Sequence, residues 1–132
     1  MSTSPQLTEQ QAFLGIAMSI AGADGRLTMD EIEDVVNFIA RMEMFHDQDV
    51  DVDGVYDLLK EHGVDAFTIA ASDKLSQPIR ETAFALAVEV AMSDGDLGEE
   101  EMALIKKLIP SLKIDESIAH AVVTVMEIRS RG

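Results

Sequence analysis

IAMSIAGADGRLTMDEIE, residues 16–33, reads as an apolar helix, an Asp-Gly turn and a second helix that opens on acids. Seventy residues on, the chain writes LAVEVAMSDGDLGEEEMA, residues 86–103. Ala17 then falls on Ala87, Ile20 on Val90, Ala21 on Ala91, Leu27 on Leu97, Glu31 on Glu101 and Ile39 on Ile109. A constant offset through the turn and both flanks makes the repeated unit a helix pair and not a loop. We place the two copies at about residues 12–42 and 82–112.

Outside these copies the pattern stays helical. Thr8 and Gln11 have the spacing of a capping box, with Leu7 placed as its staple. The helix they open is apolar nearly all round, leaving only Gln11, Gly15, Ser19 and Gly22 as a narrow stripe, which predicts a central helix. Thr28 opens the second helix. A polar connector, HDQDVDVDG (46–54), precedes a third helix over Val55–Glu61, with Asp53 as its cap and Gly63 as a left-handed terminator. A short fourth helix lies around Ala66–Ala71. Ser76 and Pro78 open the fifth, Glu99 to about Ile109 forms a sixth that Pro110 stops, and Asp115 caps a seventh. The expected fold is all-α: one domain, 1–132, of about seven helices in two related halves, a pseudo-twofold bundle.

With 132 residues, 47% of them hydrophobic, the chain has material for one well-buried core. A net charge of −15 leaves no basic face for phosphates, so nucleic acid is not an expected partner; cations and basic proteins are. The absence of cysteine removes disulfides, thiolate nucleophiles and Zn–S sites. MSTSPQLTEQQ lacks the basic start of a secretory signal, and the first apolar helix is too short to span a bilayer. We therefore expect a cytoplasmic protein with no direct membrane insertion. No nucleophile elbow or phosphate-binding loop is written anywhere, so no enzyme is expected.

The repeated turn has two readings. As structure, Gly25 and Gly95 end helices, Leu27 and Leu97 pin the turn, and Thr28 with Glu31 forms a cap. As chemistry, D-G-x-L-x-x-x-E matches the closing half of an EF-hand loop, where Asp and a returning Glu offer oxygen ligands. The opening half is missing, because Ile20, Gly22, Val90 and Met92 occupy its ligand positions. The cap reading leaves two residues unexplained: Glu101 persists although Gly98 has no side chain to complete a box, and both copies keep the Asp before the Gly. A further acidic phrase, Asp49 to Lys60, opens like an EF-hand but closes on Lys60, and we read it as a solvated connector. Glu89 is read as part of a thin solvent stripe with Glu81, Ala85 and Ser93, and His62 as a residue favourable to a helix C-terminus.

The two quoted stretches resemble the TerB-like family, named for bacterial tellurite-resistance proteins, over most of the chain. The resemblance implies an all-helical domain of two related halves, a stress-response or membrane-linked role, and a loosely defined metal-binding function. Matched residue by residue, the acidic turns are Asp24, Asp30 and Glu31, then Asp94, Glu100 and Glu101; Asp96 replaces Arg26 in the second copy, making it the more acidic. Such domains also occur fused to other modules, including J-domain co-chaperones. Two functions follow. One is a non-enzymatic stress protein that binds a divalent cation (Ca²⁺, Mg²⁺ or Mn²⁺) weakly and needs no organic cofactor. The other is an acidic interaction module whose turns are structural and which docks protein partners, a membrane-protein complex among them. Without a thiol or redox cofactor the chain cannot reduce tellurite itself, so any part in resistance runs through ions or partners.

Overall fold

Thr8 starts the first helix as its spacing predicts: its Oγ1 accepts from the Gln11 N–H at 3.1 Å, and Gln11 Oε1 accepts from the Thr8 N–H at 3.0 Å. The helix, α1 (Glu9–Ala21), is central, and every residue from Ala12 to Ala21 is buried. The structure is a computed structural model that describes residues 5–22, 28–45, 47–92 and 99–131. Among them it contains seven helices and no strand: α1, α2 (Met29–Arg41), α3 (Val52–His62), α4 (Val64–Lys74), α5 (Gln77–Ala91), α6 (Glu99–Ser111) and α7 (Glu116–Arg131). Helices α2 to α6 all touch α1, and α7 packs on α5.

The middle of the thin stripe of α1, Gly15 and Ser19, is buried as well, because α4 lies on it. A Cβ added to Gly15 would sit 2.0 Å from Cε1 and Cζ of Phe67, so glycine here is what lets the two helices approach. Ser19, one turn on, is internally satisfied, its hydroxyl donating to the Gly15 carbonyl at 2.7 Å. Arg80 of α5 fixes the far end of α4 by donating to the carbonyls of Ser72 and Leu75, at 3.2 and 2.5 Å. Phe13 joins α1 to α2, stacked on Phe38 with ring centroids 6.4 Å apart, and Phe45 tilts against it at 6.0 Å.

Five local expectations need correction. Helix α3 begins at Val52, and Asp51 caps it instead of Asp53, accepting from the Gly54 N–H at 3.1 Å. Asp51 prevails because α1 holds it: Gln11 Nε2 donates to its carboxylate at 3.1 Å, and its own N–H reaches Gln10 Oε1 at 3.3 Å. Helix α4 is longer than expected, since Gly63 (φ 85°, ψ 159°) ends α3 and starts α4 at once, in an extended positive-φ conformation and not the left-handed helical one. Pro110 lies inside α6, which continues to Ser111. Proline removes a single ladder bond there, and the chain turns off at Lys113, whose φ is 56°.

Helix boundaries follow the repeat. Helix α1 ends at Ala21 and α5 at Ala91; α2 runs 29–41 and α6 runs 99–111. Ala17 and Ala87 are both buried, as are Ala21 and Ala91, and Val35 and Ile105.

Candidate functional site

Both helices that lead into the acidic turns end in the same way. Gly22, at φ −95° and ψ 9°, donates to Met18 O at 3.0 Å. Met92, at φ −101° and ψ 9°, donates to Val88 O at 3.1 Å. Asp24, Asp94 and Asp96 lie outside the described residues, together with Gly25, Leu27, Gly95 and Leu97.

The acids that leave the turns are described. Thr28 Oγ1 accepts from the Glu31 N–H at 3.1 Å and donates to Glu31 Oε1 at 2.9 Å, so the Glu31 carboxylate already has a hydroxyl partner. Asp30 is exposed on the first turn of α2. Glu100 is exposed and Glu101 half-buried on the first turn of α6. All four complement the partial positive charge at a helix start.

Two of the clefts that border these helices are lined by acids. The larger, about 710 Å³, lies where α1, the α3–α4 junction and α6 meet, and its lining includes Ser19, Gly22, His62, Asp65, Glu100 and Lys107. It brings the last residue before the first turn, Gly22, to the same cavity as an acid that leaves the second, Glu100. The smaller cleft, about 390 Å³, lies between α2 and α5, with Asp34, Asn37, Leu86 and Glu89 on its walls. Ser19 and Glu89, Leu104 and Asp34, and Lys107 and Asn37 are pairs 70 residues apart that line one cleft each.

Asp65 and Lys107 escape a reading of the sequence as a site. Gly63 restarts the helix so that Asp65 falls on its first turn, and Lys107 Nζ stands 3.8 Å from Asp65 Oδ1 with both side chains largely exposed. The signal was the H-G-V-D junction, where a glycine between two helices sets an acid at a new N-terminus. Glu89 is exposed, as its stripe predicts, and lies 3.8 Å from Arg129. His62 is the last residue of α3.

Chemically, the surroundings of the turns offer hard oxygen donors, the ligand type of Ca²⁺, Mg²⁺ and Mn²⁺. Among the described residues no three acidic or histidine side chains gather closely enough to hold an ion. No helix among the described residues is long and apolar enough to cross a membrane.

The described residues form an all-helical fold in which α2 and α6 both open on acids. The family model of the tellurite resistance protein TerB matches residues 10–123, and the chain belongs to that family. Neither curated proteins nor solved structures gave a match.

Proposed function

We propose that this TerB-family chain is a non-enzymatic cytoplasmic stress protein that binds a divalent cation weakly at its acidic Asp-Gly turns. The observation that carries the reading is the large cleft, which has Gly22 at the mouth of the first turn and Glu100 at the exit of the second, with Asp65 beside them. Asp24, Asp30 and Glu31 would serve the first site; Asp94, Asp96, Glu100 and Glu101 the second. With each carboxylate giving one oxygen, either set supplies fewer than the six to eight that Ca²⁺ takes, so water completes the shell and Kd is on the order of 10⁻⁴–10⁻³ M. The second turn binds the more tightly, since Asp96 stands where the first has Arg26. The shared offsets of helix ends and cleft linings support a pseudo-twofold relation between the halves.

Calorimetric titration of chelator-treated protein with Ca²⁺, Mg²⁺ and Mn²⁺, at about 0.15 M salt to screen diffuse attraction, tests this. Wild type is expected to saturate in the millimolar range and the double variant Asp94→Asn, Glu101→Gln to lose most of the heat. Equal responses would reduce the turns to caps. The second reading, an interaction module with structural turns, draws on the Thr28–Glu31 pair, which engages that carboxylate without any ion.

A further inference from the structure

Helix α7 is apolar on two faces. Toward the core it buries Ala119 and partly buries Val122, Val123 and Met126. On another face Ile118, Ala121, Val125 and Ile128 are exposed, at 37% for Ile118, 53% for Val125 and 57% for Ile128. Steps of three, four and three residues are the a/d spacing of a coiled-coil seam. His120, Thr124 and Glu127 form the polar stripe that separates the two faces on the remaining side.

We propose that this outer seam is a self-association surface, paired antiparallel across a twofold axis with α7 of a second copy. Charge selects the occupant and its direction. Residues 116–131 contain two acids and two arginines and are neutral, within a chain of net charge −15. This helix is thus a place where two acidic copies meet without local like-charge repulsion, and it has no excess acid to draw a basic partner. Asp115 and Glu116 open the helix and Arg129 stands near its end, so antiparallel packing brings acids of one copy toward an arginine of the other; parallel packing stacks like on like. Packing agrees with charge. An antiparallel dyad near residue 123 places Ile118 against Ile128 of the other copy and Ala121 against Val125, a small residue facing a larger one. The parallel register would set Ala121 on Ala121 and leave a gap.

A seam of four residues covers far less than the roughly 1,600 Å² of a standard interface, so the dimer is weak and reversible, with Kd on the order of 10⁻⁴ M. Sedimentation equilibrium in chelator, from about 10 µM to about 1 mM, spans that range. The wild-type mass should rise toward that of a dimer, and Val125→Glu and Ile128→Glu should each weaken association at least about tenfold with unchanged circular dichroism. The chain has no cysteine, so orientation can be read from introduced ones. A mixture of Ala121→Cys and Val125→Cys proteins should form the mixed disulfide faster than either forms its own. A monomer at every concentration would give the seam to another occupant and overturn the proposal. So would undiminished association of Val125→Glu, or dominance of Ala121→Cys homodimers.

Discussion

Helices α1 and α5 end seventy residues apart, at Ala21 and Ala91, yet only one has its stripe covered. On α1, Gly15 and Ser19 are buried beneath α4, with the Phe67 ring against Gly15. On α5, seventy residues on, the matching positions are Ala85, half-buried, and Glu89, exposed and facing Arg129. The first half has four helices and the second has three. Both helices bury a similar apolar pattern, while the small and charged residues between the apolar positions decide what each can receive. The missing methyl at position 15 admits an aromatic ring; the carboxylate at 89 keeps its side of α5 wet.

The largest effect should come from removing the ring. Phe67 is fully buried, so Phe67→Ala leaves a cavity at the α1–α4 contact and should cost about 3–5 kcal/mol in urea unfolding. On the other stripe, Glu89→Ala removes one exposed ion pair and should stay within about 0.5 kcal/mol. Comparable losses from the two variants would mean that the stripes are not differently used.

Position 15 gives a sharper test with a smaller effect. Gly15→Ala improves helix propensity by about 0.5–1 kcal/mol but forces a methyl into an enclosed ring, an overpacking cost of about 1–3 kcal/mol. A net loss of about 1 kcal/mol is expected, and Phe67→Leu in the same chain should recover part of it, since residues in contact couple. At the matching site, Ala85→Gly should lose about 0.5–1 kcal/mol through propensity alone. A stabilised Gly15→Ala protein would show that α4 rides further from α1 than the structure has it.

How much of this could be read beforehand depends on the distance over which each feature is determined. The Thr8 cap and the Thr28 cap are set within a few residues, and the sequence displayed them. Asp51 displaced Asp53 as the α3 cap through Gln10 and Gln11, forty residues away in the chain, which no local pattern contains. Pro110 misled because one missing donor near a helix end costs less than the same proline mid-helix. At the candidate site the acids on the described helix starts stand where the spacing put them. Asp65 joined Glu100 and Lys107, which share α6, only through the docking of α4 against α6, a tertiary event.

The smallest effect concerns α7, the helix that closes the shorter half. Asp115 Oδ1 accepts from the Ser117 hydroxyl at 2.5 Å and from the Ser117 N–H at 2.8 Å. These two bonds, the hydroxyl's first, hold its carboxyl below the ordinary value of 3.8, against a smaller opposing push from burial. A depressed folded pKa means that the ionised form is favoured by folding. Its contribution is therefore complete above about pH 3.8 and disappears as pH falls through the lower, folded value. Asp115→Asn keeps a capping side chain but has no charge to lose. Wild type should thus melt slightly higher than the variant at neutral pH, and the gap should hold until the carboxylate range and then close. Taking the difference between two proteins cancels the titration of the other acids. The gap should be small, because the cap is open to solvent and screened. Ser117→Ala, which deletes the stronger donor, should narrow it at neutral pH and move its closure toward the ordinary carboxylate value. If the gap instead widens on acidification, the Asp115 charge opposes folding, and the start of α7 is held by something other than this cap.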